Sequence, residues 1–222
     1  MHPSSSCFQY LRPRESAGLV SELLDQAAIP NVIWGTLALS HYNVPTVILE
    51  VAVVIPDEYF ESAISIISNT GARRCLCQEQ RSTDPCHSFL VPSPPAHWLI
   101  TNEFGIDLWT QSSVLWRLHI SPSSLDLTSQ QVTMPTGQIY TVRHPKLHKL
   151  IESYMLLAMR DYGTVYSSSR AYPILYIRQY TDPEHEGCNE LGDTVEETVV
   201  KEAYQSDDWA DMLEKGHNVL FI

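Results

Sequence analysis

The sequence predicts an α+β domain, a mixed β-sheet flanked by helices, followed by an acidic helical segment. Three observations carry this expectation. Helical and extended patterns alternate over residues 16–78 as α-β-α-β-α-β, the order of a sheet with helices on its faces. Residues 47–55 are rich in Val and Ile at both parities, as in a central strand covered on both sides. Residues 146–161 carry a helical apolar stripe just after two short strands separated by a tight turn.

Each element has its own signal. In residues 16–28, Leu19, Val20, Leu23, Leu24 and Ala27 recur at helical spacing, with Ser16 as N-cap. Pro30 ends that helix by biasing Ile29 away from helical geometry. Residues 31–34 form a first strand, Gly35-Thr36 a turn, 37–42 a short helix and 46–55 a second strand. Pro56-Asp57 opens a helix over 58–68 with Phe60, Ala63, Ile64 and Ile67 on one face, and Gly71 closes it. Residues 74–78 read as a third strand and 82–96 as a proline-rich loop. Residues 98–101 and 105–109 read as short strands, and 121–128 as loop; 112–118 fit no single pattern.

Residues 132–134 and 138–142 flank Pro135-Thr136-Gly137 and read as a hairpin. Pro145 suits the first position of a helix over 146–161, with Leu147, Leu150, Ile151, Tyr154 and Leu157 along its stripe. Residues 172–179 fit a strand or a helix equally, and 194–205 and 207–215 read as helices. The expected plan is a flexible lead (1–15), one sheet domain (16–180) and an acidic helical segment packed on it (181–222).

Composition narrows the function classes. The chain of 222 residues is long enough to bury a substantial core. No apolar run reaches the roughly 18 residues of a membrane helix, and the N-terminus lacks the apolar core of a secretory signal. A cytoplasmic or nuclear location follows as the expectation. The net charge of −12 disfavours nucleic acid, whose phosphates call for clustered Lys and Arg. That charge sits mainly in residues 182–214, where twelve acids face a single base, Lys201. A near-neutral remainder leaves room for a small anionic ligand. The acidic segment, with Trp209 among its carboxylates, is a candidate docking surface for a protein partner.

Several clusters have the residue types for a site without the full pattern. Cys75 and Cys77 share one strand face, with Cys86, His87 and His97 nearby in sequence, but Cys-x-Cys is not the usual zinc-knuckle spacing, so free thiols are expected. Together with Cys7 and Cys188 these cysteines make an odd, scattered set rather than a disulfide framework. His144 and His148 stand four apart at a helix start without the Glu of a metalloprotease motif. The Ser167-Ser168-Ser169-Arg170 run offers anion contacts but reads first as a solvated loop.

The segment from Trp34-Gly35 to Pro45-Thr46, followed by the strand that ends at Ile55, resembles the nucleotidyltransferase-like superfamily. Its W-G-x-x-A-L-x-x-Y-x-V-P-T form is similar to an uncharacterised fungal group within it. The resemblance covers residues 16–160 and implies a fold in which a glycine-hydroxyl turn opens a helix and the next strand carries two acids at i and i+2. Those acids, with a third on a neighbouring strand, hold two magnesium ions; residues at i and i+2 face one side of a strand, and Mg²⁺ takes hard oxygen ligands. Here Glu50 matches the first acid and Ala52 the second, and Asp107 is the candidate for the third. Glu50 and Asp107 are the implied catalytic residues, and Trp34, Gly35, Thr36 and Glu50 the implied ligand contacts. No complete metal set is present. The expected function is a catalytically degenerate protein that binds a small ligand, such as a nucleotide, or a protein partner. One alternative is an active nucleotidyl or phosphoryl transferase with a rearranged acid set of Glu50, Asp57 and Asp107, the only case that implies Mg²⁺. The other is an interaction module working through the acidic C-terminus.

Overall fold

The computed structural model describes residues 8, 11–48, 50–75, 93–100, 104–115, 117–162, 164 and 167–181. The expected acidic helical segment 182–222, the expected loop 82–92, residues 76–78 of the expected third strand, and Cys7, Cys77, Cys86, His87 and Cys188 lie outside them.

Helix α1 (Pro13–Gln26) starts with Pro at its first position rather than at Ser16, so residues 13–15 of the expected lead are helical. Proline suits that position because its missing N–H has no partner to lose there. Glu15 reaches back to accept the Arg12 N–H at 2.7 Å. The helix closes before Pro30 matters. Ala28 takes a left-handed φ of 56°, and the N–H groups of Ala28 and Ile29 donate to the carbonyls of Asp25 and Leu24 at 2.9 Å each.

β1 (Val32–Trp34) runs into α2 (Gly35–Ser40), and β2 (Glu50–Ile55) follows. The second strand therefore begins four residues later than expected. Its partners explain this: β1 pairs with it only from Ala52 to Val54, and β5 (Gly105–Thr110) only from Glu50 onward, so residues before Glu50 have no ladder. A 3₁₀ turn (Asp57–Tyr59) leads into α3 (Phe60–Ser68), then β3 (Arg73–Arg74) and β4 (Ala96–Leu99).

The five strands form one sheet in the order β1-β2-β5-β4-β3. The β2/β5 pair is parallel and the other three pairs are antiparallel. This is the mixed α+β architecture that the sequence predicts.

A helical turn at Gln111–Val114 precedes a long hairpin, β6 (Leu127–Thr133) with β7 (Ile139–Pro145). The hairpin is longer than expected, and Pro145 ends its second strand instead of opening the helix; Lys146 takes the N-cap position of α4 (Leu147–Arg160). Residues 172–179 are helical, within α5 (Ser167–Thr181). The serine run 167–169 thus begins a helix, not a loop. No helix among the described residues is long and apolar enough to cross a membrane.

Strand alternation sorts the core into two layers. Trp34, Ala52, Val54 and Trp109 pack under α4 and α5 against Leu150, Tyr154, Leu157 and Ile177. Ile33, Val51, Val53, Ile106 and Leu108 face the other way, against α1, α3 and the hairpin. Both faces of β2 are thus covered, which is why it reads as a continuous apolar run.

Candidate functional site

Glu50 shares the face of Ala52 and Val54, the face turned toward α4 and α5. In the parallel β2/β5 pair Ala52 stands opposite Asp107, and Glu50 opposite Gly105. Asp107 is thus one diagonal step from Glu50 on the same face. In the next pair Asp107 stands opposite His97, which is buried. Two carboxyls expected to act together are therefore brought together, with Ala52 beside them where a third would complete the set.

The turn before α2 lies over this pair. Gly35 has φ +68°, in the left-handed region that residues with a Cβ adopt only at a cost. A Cβ built there would lie 3.5 Å from the Ala52 Cβ and 3.7 Å from Glu50 Oε1. These are ordinary contacts, so glycine is required by the backbone conformation and not by lack of room. The Thr36 hydroxyl donates to Glu50 Oε1 at 3.2 Å, and the Thr46 hydroxyl donates to the Thr36 carbonyl at 3.1 Å. The unpaired stretch before β2 is tied to the helix start in this way.

Burial disfavours charge on both acids. Asp107 is half-buried and is pushed up to about 8, first by desolvation and then by the nearby Glu50 charge. Glu50 is raised by desolvation, with the Thr36 hydrogen bond opposing. At neutral pH Asp107 holds its proton and is a hydrogen-bond donor, so the pair carries at most about one negative charge.

Trp34 lies beneath the site. It is 3% exposed and stacks on Tyr154 with ring centroids 4.5 Å apart, so it supports the Gly35 turn from the core side. Burial raises the Tyr154 phenol above its ordinary range; Arg170 opposes the rise and Glu50 adds to it. Arg170, from the serine run, is 6% exposed and pairs with Asp161 Oδ2 at 3.2 Å. Asp57 belongs elsewhere. It follows the opposite end of β2, on the order of 20 Å from Glu50 at about 3.3 Å per strand residue, and accepts the Ser112 N–H at 3.0 Å. The set Glu50, Asp57 and Asp107 does not converge.

His144 and His148 do not share a helix face, because His144 lies on β7 and His148 on α4. His144 instead stacks on His41 with centroids 4.6 Å apart, and Tyr42 meets it edge-on at 5.2 Å. Spacing gave no sign of this cluster, which joins residues about a hundred apart. His97 was conspicuous only as a zinc candidate, and its place beside Asp107 follows from the β4/β5 register alone.

A two-metal centre needs a carboxylate shared between the ions. Ala52 offers no ligand where the shared carboxylate would stand, and among the described residues no group of three His, Cys, Asp or Glu is placed to hold a metal. The residues present do not fit that centre.

No protein-family model matches the sequence, and no curated protein is similar to it. Solved structures are similar to it. One is an antigenic nucleotidyltransferase-like protein from Paracoccidioides brasiliensis, at 10% identity and TM-score 0.42 over 94% of each chain. Another is ANT(2")-Ia in complex with adenylyl-2"-tobramycin, at 12% identity and TM-score 0.44 over 90% of this chain and 98% of that one. A third is the lincosamide antibiotic adenylyltransferase LnuA, lincomycin-bound, at 8% identity and TM-score 0.37 over 72% and 92%.

Proposed function

We propose that this chain is a nucleotidyltransferase-like protein that binds a small phosphate-bearing ligand, a nucleotide first among them, at Gly35-Thr36 beside Glu50 and Asp107, and that it does not carry out two-metal transfer. The observation that supports this reading most directly is Ala52 standing opposite Asp107 and two residues from Glu50, on the face where the second metal-bridging acid would lie. The left-handed φ at Gly35 favours a residue with no side chain beside the pair, and the Thr36 hydroxyl already engages Glu50. A neutral Asp107 can donate to a ligand oxygen, and it removes much of the repulsion that two carboxylates would exert on phosphate.

The test is thermal stability with each nucleoside triphosphate, with and without Mg²⁺ or Mn²⁺, between pH 6 and 9. A ligand that binds only the folded state raises Tm. Metal-independent stabilisation that fades above pH 8, as Asp107 ionises, supports the proposal. Stabilisation that needs metal, strengthens with pH and vanishes in Glu50→Ala would favour the transferase reading instead. No shift with any nucleotide would overturn both and turn attention to protein partners of the acidic segment.

A further inference from the structure

A second candidate site lies away from Glu50. A cavity of about 440 Å³ opens between the start of α1, the end of α2 and strand β6, within the range of roughly 300–1,000 Å³ common to small-molecule sites. Arg12 and Arg14 reach it from α1, His41 from the end of α2, Gln130 from β6, and Pro13 and Ile48 supply apolar wall. The two arginines flank it because Arg12 is extended (φ −74°, ψ 164°) while Pro13 begins the helix, so they are not related by a helical turn. Both guanidinium groups are exposed, and neither is in a salt bridge among the described residues. The one carboxylate on the wall, Glu15, already accepts the Arg12 N–H.

Two arginines outside any salt bridge among the described residues share one opening with apolar wall, in the near-neutral part of the chain. Guanidinium groups recognise phosphate and carboxylate through paired N–H donors. Two of them match a dianion better than a monoanion, and the wall of Pro13 and Ile48 suits a non-polar body attached to it. His41 cannot supply a third charge: burial first, then the nearby His144 and Arg14, hold it at about 3. The Gln130 side chain beside it opposes that lowering only weakly, and the neutral ring lines the cavity.

We infer that the cavity between α1, α2 and β6 binds a phosphate monoester with an apolar body, through Arg12 and Arg14. The site is independent of Glu50. Phenyl phosphate is a suitable probe, titrated into the full chain at constant ionic strength and read by Tm and by calorimetry. Inorganic phosphate, succinate and chloride serve as comparisons. Saturable binding of phenyl phosphate, tighter than inorganic phosphate or succinate, is expected. It should weaken by about tenfold or more in Arg14→Gln and further in the Arg12→Gln/Arg14→Gln double variant, from the loss of charged hydrogen bonds. Because both side chains are exposed, the variants should keep the Tm of the unliganded protein. Glu50→Ala should bind phenyl phosphate as the wild type does. The inference is overturned if phenyl phosphate does not saturate, if the arginine variants bind it equally well, if succinate binds as tightly, or if Glu50→Ala abolishes binding.

Discussion

Replacing Asp107 with Asn should stabilise the protein, and by an amount that grows with pH. Folded, the Asp107 carboxyl titrates at about 8; unfolded, it returns to its ordinary 3.8. Between these values the folded state holds a proton that the unfolded chain releases. Stability therefore falls as pH rises from about 4 to about 8 and is level above that. At pH 7 the full difference corresponds to about 4 kcal/mol at about 1.4 kcal/mol per pKa unit. Asp107 keeps some contact with solvent, whose screening reduces this, and a gain of about 2 kcal/mol is expected. Asn has nearly the same shape, keeps a donor in place of the protonated carboxyl and has no charge to desolvate. Urea melts of both proteins at pH 4.5, 6, 7 and 8 measure the difference directly, and other titrating groups cancel between them. The reasoning fails if Asp107→Asn is less stable at pH 7, or if the gap between the two proteins does not widen with pH.

Three further outcomes are expected. His144, 5% exposed, is held at about 4 by burial against its ordinary 6.5, so its contribution is fully present above 6.5 and lost as pH falls toward 4; this amounts to about 2 kcal/mol at pH 5, which His144→Gln should remove from the pH dependence of denaturant melts. Gly105→Ala should lose about 2–3 kcal/mol, the usual scale of overpacking, because its Cβ would stand 2.6 Å from the Trp98 carbonyl oxygen, a backbone atom with little freedom to move. Ala52→Asp should lose on the order of 3 kcal/mol without metal, from burying an unpaired carboxylate; millimolar Mn²⁺ should restore much of the loss, and a calorimetric melt that Mn²⁺ leaves unchanged would show that the scaffold no longer accepts a metal.

The sequence made the fold class legible because strand and helix periods alternate cleanly and because β2 is apolar on both faces. It misplaced boundaries wherever tertiary partners set them. β2 begins at Glu50 because β5 pairs with it only from there, and β1 only from Ala52, which the extended pattern before Glu50 does not reveal. Pro145 can open a helix or end a strand, and the β6 register at Leu127 decides for the strand. For the site, the Glu50–Ala52 spacing and Gly35 carried a resemblance, but only the parallel register joins them to Asp107 and places His97 beside it. The Arg12/Arg14 cavity has no linear signature at all, since its walls come from three elements far apart in the chain.

The sheet order has a consequence for synthesis. β2 gains its inner neighbour, β5, only when a segment some fifty residues further along has been made. At about 5–20 residues per second, β2 emerges from the ribosome roughly 3–10 s before β5 does. For that interval an apolar strand has one open edge, the kind of surface that pairs with other chains. Holdase chaperones should therefore engage the nascent protein at this stage, and any truncation before β5 should yield insoluble protein rather than a smaller folded domain.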